Sequence, residues 1–393
     1  MTFQADWVTL FPALLDGTGC LQRQAMKFSK WDIVFVQDCN LRCSYCSTGY
    51  GRFADSQPRE LGRNLWEDVI AFMVSHTDAR QKTLINFQGG ETFIRFEPFI
   101  EFVKRVKDRF QESGLNPQFH VATNGVLLDS RRLNTCLEME INLHFSIDGE
   151  KDKHDLHRRD RAGRGTFQRA FENWQQYRKL AAPYGRSTLS SIKSVTTAEN
   201  GLADIVRFWN AHGVDIIDVI LEDKSFYTGN GDLQEVDLRR EAYLRDLRII
   251  AAACAFRSEQ ELFLTHFKGP MVLLSIWEMM LKNSVAGMCS AGQYMLGIDP
   301  SGNLFPCNAF VGRPRWQVGN VSDGINGDAL ERFLLEKERA FNVCADCAVR
   351  QFCNGGCPGN ADDKVLMHHS PGGCDFMKEL IGIADSSFRS ICK

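Results

Sequence analysis

The sequence predicts an α/β protein of six β/α units with parallel strands, followed by a cysteine-rich C-terminal region. Three observations predict it. Strand-like and helix-like runs alternate from about residue 31 to 225. No large antiparallel signal interrupts them, so the strands wind in one hand. From Cys289 onward the character changes, and eight of the fourteen cysteines fall there among many glycines.

Residues 1–30 read as a short leader of mixed character. The first strand is expected at 31–37, where Trp31-Asp32-Ile33-Val34-Phe35-Val36 is β-branched and aromatic. Further strands are expected at 84–88, 118–122, 141–147, 190–195 and 215–221. Helical patterns lie between them. Pro98 suits a first helical turn, and Phe99, Val103, Val106 and Phe110 then recur on one face. Leu202, Ile205, Val206 and Trp209 do the same, and plain core packing accounts for both sets. Residues 231–284 read as a helical bridge, in which Met271 to Leu281 is an apolar run broken by Glu278, too short to span a bilayer. Six units are too few for a closed eight-stranded barrel. The domains expected are thus 1–30, 31–230, 231–284 and 285–393.

Composition narrows the function. The net charge is −3 and the pI near 6.3, so nothing argues for nucleic-acid binding. Arg158-Arg159-Asp160-Arg161 is basic, but its interleaved acid favours a solvated face over a phosphate site. No signal peptide or membrane span is visible, which predicts a cytoplasmic protein with no membrane partner. Fourteen cysteines in a reducing compartment point to metal ligation more than to disulfides.

Cys39, Cys43 and Cys46 carry the strongest signal, in the run Asp38-Cys39-Asn40-Leu41-Arg42-Cys43-Ser44-Tyr45-Cys46. This CxxxCxxC spacing arises by chance in about 2 per cent of such chains. Structural zinc prefers paired cysteines brought from two places. Electron-transfer cubanes take four cysteines, so three thiolates on one loop leave an iron open for chemistry. The trio follows a strand, at the end where β/α barrels carry their chemistry. Downstream, Gln88-Gly89-Gly90-Glu91-Thr92 closes the second strand. Its glycines permit close approach to a ligand, and a carboxylate there can accept from an ammonium group.

Together these residues resemble the radical S-adenosylmethionine (SAM) superfamily. Tyr45 fills the aromatic place of its CxxxCxΦC motif, and Gly89, Gly90, Glu91 and Thr92 resemble its GGE loop, with Thr92 where proline is commoner. Ser146-Ile147-Asp148-Gly149 through His157-Arg158 is similar to its SIDG…HDxYR stretch, with His157 in place of tyrosine. The resemblance implies an open (β/α)6 partial barrel, a [4Fe–4S] cluster on the trio, and SAM on its open iron. It also implies that Glu91 receives the methionyl ammonium and that Ser146 and Arg158 meet the ribose and carboxylate.

The later cysteines resemble the SPASM domain. Cys289, Gly302 and Cys307 fit C-x9-15-G-x4-C, and Cys344, Cys347, Cys353 and Cys357 give C-x2-C-x5-C-x3-C before Cys374. The four-cysteine run arises by chance in fewer than about one chain in a thousand. The resemblance implies two auxiliary four-iron clusters, one on Cys289, Cys307 and Cys357, the other on Cys344, Cys347, Cys353 and Cys374. With no cysteine in 290–306, the fourth iron of the first is open, or held by an oxygen ligand or a remote cysteine. Zinc is the competing metal, since paired cysteines among glycines also describe zinc ribbons.

The activity this implies is reductive SAM cleavage followed by oxidative modification of a ribosomally made peptide, by a thioether or carbon–carbon crosslink. The partners expected are the peptide, a separate leader-recognition protein, and an external electron donor such as flavodoxin or ferredoxin. An anaerobic sulfatase maturase is the nearest alternative. That type carries an aspartate base directly after the G-x4-C cysteine, where this chain has Asn308. An amide cannot take a proton as a carboxylate does. A small-molecule radical dehydrogenase and a non-enzymatic iron–sulfur or zinc scaffold are the other readings. A scaffold has no use for an open iron.

Overall fold

The computed structural model describes residues 26–53, 57, 59–184, 191–222, 233–254, 267–282, 284, 289–342, 344–353, 355, 357–360 and 373–391. Six parallel strands lie in chain order: β1 (Lys30–Ile33), β2 (Thr83–Phe87), β3 (Pro117–Thr123), β4 (Ile141–Ser146), β5 (Ser191–Thr196) and β6 (Ile216–Leu221). Helices follow them: α1 (Trp66–His76), α2 (Phe96–Glu112), α3 (Ser130–Glu138), α4 (Lys151–His157), α5 (Phe167–Ala181) and α6 (Leu202–Ala211). The arrangement is a partial barrel, as the order of strand and helix signals predicts.

The strands alternate. Ile85, Phe87, Phe119, Val121, Leu143 and Phe145 are buried against the helices. Phe35, Trp66, Phe87, Phe99 and Phe102 meet edge to face there, binding β1 and β2 to α1 and α2. The other parity faces the barrel interior and is polar: Asp32, Asn86, His120, His144, Lys193 and Asp218. Closed barrels fill that space with branched apolar side chains. These polar groups, set among apolar neighbours such as Ala122, Val195 and Ile220, suit a polar ligand.

Three features depart from the sequence reading. First, β1 ends at Ile33 rather than at residue 37. The Val34 N–H turns to the Ile298 carbonyl, and the Phe35 carbonyl accepts from Leu61 N–H, so the chain leaves β2 early. Secondly, the barrel sheet does not stop at β1. The strand β8 (Met295–Ile298) pairs with it in parallel, and β9 (Asn303–Phe305), β10 (Gly319–Asn320) and β11 (Gly324–Ile325) continue antiparallel, giving eleven strands in one sheet. The cysteine-rich region is thus built onto the barrel edge. Thirdly, the expected bridge contains a strand of its own, β7 (Gly269–Pro270), paired with β6. Two such residues give no strand signal in sequence.

The helices of that region are α7 (Leu233–Cys254) and α8 (Met271–Leu281), the second matching the apolar run. The helix α9 (Gly327–Asn342) packs Leu330 and Phe333 on Gly292 in the turn before β8, and α10 (Gly373–Ile391) returns to α7 and α8. There the Trp277 indole donates to the Ala384 carbonyl at 2.8 Å. Cys136 is buried in the core. Most of the expected leader, with Cys20, lies outside the described residues, as do Cys392, Asp223 and Lys224. Among the described residues no helix is long and apolar enough to cross a membrane.

Candidate functional site

The strand ends β1 to β6 converge on a cleft of about 340 Å³. Cys39, Cys43 and Cys46 line one wall, with Gly89, Gly90 and Glu91 beside them. Ser146, Arg158, Lys193, Leu221, Glu222 and Asn308 line the rest. The structure therefore brings the cysteine trio, the glycine loop, Ser146 and Arg158 into one cavity.

The cysteine loop is held from two sides. Arg42 N–H donates to the Arg159 carbonyl at 2.7 Å, and Ser44 N–H to the His157 carbonyl at 3.1 Å. Arg161 donates to Asp38 at 2.7 Å and to the Cys39 carbonyl at 2.8 Å. The basic cluster at 158–161 is therefore not simply a solvated face, because two of its arginines fasten the cysteine loop and its neighbours. His157 accepts the family tyrosine's place but does different work. It bridges Ser44 at 2.8 Å and Glu199 at 3.1 Å, against the Tyr45 ring.

The glycine loop lies against this one. A Cβ on Gly90 would sit 1.9 Å from the Asp38 carbonyl oxygen, so only glycine allows that approach. Gly89 has φ +126°, which other residues rarely adopt. The Glu91 N–H donates to the Asp38 carbonyl at 2.8 Å. Its carboxylate is buried and accepts from Phe93 N–H, the Thr123 hydroxyl and Asn124 N–H, at 3.2, 3.0 and 2.8 Å. Burial lifts the Glu91 carboxyl to about 7 despite those bonds. Asn124 in turn reaches Asn40 at 2.8 Å and the Cys39 sulfur at 3.9 Å. The acid that the sequence offers to an ammonium is thus already anchoring the end of β3 to the cysteine loop. Thr92 does not line the cleft. It opens the short helix that Glu91 caps and is buried in the core.

Behind the trio stands a buried charge set. Asp148 accepts from the Tyr45 hydroxyl, from Arg158 Nε at 2.9 Å and from Val195 N–H at 3.0 Å. Arg158 also lies over the Tyr45 ring, 5.3 Å from its centre. Burial alone would raise the Asp148 carboxyl, but Arg158, His154 and Tyr45 hold it below the usual range. The charge of Arg158 is therefore already partnered, while its side chain still borders the cleft.

The donors fit an iron–sulfur cluster. None of the described cysteines is in a disulfide. Backbone N–H groups already point at the sulfurs, Leu41 to Cys39 at 3.4 Å and Tyr50 to Cys46 at 3.1 Å, as hydrogen bonds to cluster thiolates do. Burial and neighbouring acids push the Cys39 thiol up to about 12 and Cys43 to about 11. Such thiols ionise only against a bound metal. Among the described residues no three His, Cys, Asp or Glu are close enough for a single ion.

The later cysteines fall into two groups. Cys344, Cys347, Cys353 and Cys374 act on one another's charge, and Gly355 N–H points at the Cys353 sulfur. Cys307 is pushed well up by burial, then by Asp32, Cys357 and Cys289. Cys357 reaches the second set because the segment after it packs on the turn after Cys307, where Gly359 meets Ala309. Asn308 then carries that group to the cleft. Its amide donates to Gln88 at 3.0 Å, and its N–H lies 3.4 Å from the Asp32 carboxylate.

Sequence reasoning missed Gln88, Asn124 and Lys193 as cleft residues. A usable signal existed for Lys193, a charge between Ile192 and Val195 within a strand. Asn124 sits in the Thr-Asn-Gly turn that ends β3.

Residues 33–191 match the radical SAM superfamily model, and residues 289–348 match an iron–sulfur cluster-binding domain of the SPASM type. The chain is 22% identical over 339 residues to a cysteine-type anaerobic sulfatase-maturating enzyme of Clostridium perfringens, covering 83% of this chain and 87% of that one. It is 24% identical over 340 residues to the mycofactocin maturase MftC of Mycolicibacterium smegmatis, covering 83% and 76%. The fold superposes on native anSMEcpe with bound AdoMet and Cp18Cys peptide, with a TM-score of 0.74, 19% identity, and coverage of 92% and 98%.

Proposed function

Because the chain belongs to the radical SAM superfamily and carries a C-terminal SPASM iron–sulfur domain, we propose that it is an oxidative maturase of a ribosomally made peptide. Cys39, Cys43 and Cys46 would hold the SAM cluster, and Gly89, Gly90, Ser146 and Arg158 would border SAM. Cys289, Cys307 and Cys357 would hold one auxiliary cluster, and Cys344, Cys347, Cys353 and Cys374 the other. The bound groups supply a SAM-derived radical that abstracts hydrogen, and an acceptor for the electron left behind.

The chain's own residues organise this chemistry. Tyr45, Asp148 and Arg158 lock the cysteine loop to β4 and β5. Glu91 and Asn124 fix the glycine loop and β3 against Cys39. Lys193, 3.5 Å from Asp218, offers a cation on the wall across from the trio for a carboxylate or carbonyl of the peptide. The single observation that carries the reading is the placement of Asn308. It follows Cys307 and enters the cleft lined by the trio, so the residue beside a later cysteine borders the space that the trio lines.

Formylglycine formation is the second reading, favoured by the sulfatase-maturating relative. Asn308 argues against it, since an amide at that position cannot act as base. The test is anaerobic incubation with SAM, a reductant and peptides encoded beside the gene, read by mass spectrometry. A loss of two hydrogens with a new crosslink supports the proposal. Conversion of serine or cysteine to formylglycine in a sulfatase peptide, with no crosslink in any neighbouring peptide, overturns it.

A further inference from the structure

The helix α9 carries a lysine where its pattern calls for an apolar residue. Leu330, Phe333, Leu334 and Phe341 form its buried face, and Lys337 lies on that face with 0% of its surface exposed. Its Nζ donates to the Cys289 and Ala291 carbonyls, both at 2.9 Å. An ammonium group has three donors, and these carbonyls take two. Among the described residues no carboxylate pairs with Lys337. A buried ammonium without a counter-charge costs several kcal/mol. Its bond to the Cys289 carbonyl places it at the cysteine set of Cys289, Cys307 and Cys357, whose ligand charge would be its counter-charge once a cluster is bound.

We propose that Lys337 is the built-in counter-charge of the auxiliary cluster on Cys289, Cys307 and Cys357, and that it raises that cluster's reduction potential. The inference rests on the cluster assignment above and concerns what tunes it. A thiolate-ligated cluster gains a negative charge on reduction, and a fixed cation beside it in a dry setting stabilises the reduced form. The two carbonyl bonds set where that cation stands, so Lys337 is a positioning residue. The direction of the effect suits a cluster that must accept an electron.

The test is a potentiometric titration of the full chain, followed by electron paramagnetic resonance. Cys39, Cys43 and Cys46 are changed to alanine so that only the auxiliary clusters contribute. In Lys337→Met, one auxiliary couple should move to lower potential, with its reduced-to-oxidised ratio at fixed potential falling at least tenfold, about 59 mV for one electron. The other couple should stay, and Lys337→Arg should hold both. Unmoved couples in Lys337→Met with full iron content overturn the proposal, as does an equal shift in Lys337→Arg. If Lys337→Met loses the cluster, retention in Lys337→Arg supports a charge role, and loss in both variants overturns it. If Cys307→Ala removes no iron from the otherwise unchanged chain, the cluster assignment itself fails, and that result is read separately.

Discussion

Asn308 donates its side-chain amide to Gln88 at 3.0 Å, joining the residue after Cys307 to the residue before Gly89. The contact links the cysteine-rich region to the cleft that holds the first trio. Asn308→Ala removes one neutral hydrogen bond, worth about 1 kcal/mol, and should leave the fold and the iron content intact. SAM cleavage would rest on the trio and the glycine loop, whose backbone contacts do not involve Asn308, and should persist. Product formation should fall by about tenfold, the effect of about 1.4 kcal/mol on a barrier. The ratio of 5′-deoxyadenosine to modified peptide measures this uncoupling, and an unchanged ratio would remove Asn308 from the substrate space.

Asp148 is the single carboxylate that partners both Tyr45 and Arg158. Asp148→Asn leaves the Arg158 guanidinium buried without its anion, which costs about 3–5 kcal/mol. Tyr45→Phe removes one bond to a charged acceptor, about 1.5–3 kcal/mol. Denaturant unfolding should therefore rank wild type above Tyr45→Phe above Asp148→Asn. Equal stability of the two variants would show that Arg158 finds another anion.

Much of this arrangement is legible in the sequence, for a physical reason. The strands β2 to β6 are short β-branched runs between helical periods, and their interior parity is polar, so their limits lie within a residue or two of the expected ones. The two later groups are legible only through the resemblance to the SPASM domain, since spacing alone would keep Cys357 with its sequence neighbours. What the sequence hid depends on the third dimension. The parallel pairing of β8 with β1 joins residues 30 and 295, and nothing local records it. The bonds from Glu91 to Thr123 and Asn124 are hidden too, because those partners lie on another strand end. Lys337 reads as a surface lysine until the apolar residues around it are placed on one helix face.

The buried histidines give a pH dependence of known sign. Burial and then Lys193 lower His144 to about 3 from 6.5, burial lowers His154 to about 4, and His120 is lowered for the same reasons as His144. They are neutral in the fold, so the unfolded chain binds more protons below 6.5. Stability is then lost as the pH falls from 6.5 towards those values. Glu91 acts oppositely, because its folded value, about 7, lies above 4.5, and the stability it gives fades as the pH rises through 7. Thermal unfolding at stepped pH should show a shallower acid loss in His144→Gln than in wild type. Glu91→Gln should lack the loss that Glu91 contributes as the pH rises from 4.5 to 7. An unchanged acid slope in His144→Gln would mean that His144 is already charged in the fold.

The two cysteine regions should separate by substitution. Cys43→Ala should abolish 5′-deoxyadenosine formation and lose one cluster's iron, about a third of the total if three cubanes are bound. Cys344→Ala should lose a similar share yet keep SAM cleavage, while peptide modification fails. Iron assay and product chromatography on the same preparations check both halves. Retained SAM cleavage in Cys43→Ala would place the open iron elsewhere.

The closest approach in the site sets the last expectation. A methyl group on Gly90 would meet the Asp38 carbonyl oxygen at 1.9 Å, and the neighbouring atoms are backbone rather than a flexible side chain. Relief requires the glycine loop to move off the cysteine loop, which breaks the bond from Glu91 N–H to that same carbonyl. Overpacking of this kind costs about 1–3 kcal/mol, and the displaced loop would no longer frame Cys39. Gly90→Ala should therefore lower both thermal stability and iron retention at the first trio, while the auxiliary iron stays. Gly327→Ala is the control, since a Cβ there meets nothing within 4 Å and, as at Gly90, the backbone is outside the left-handed region. If the two variants lose stability equally and Gly90→Ala keeps its iron, the contact between the two loops has no part in holding the trio.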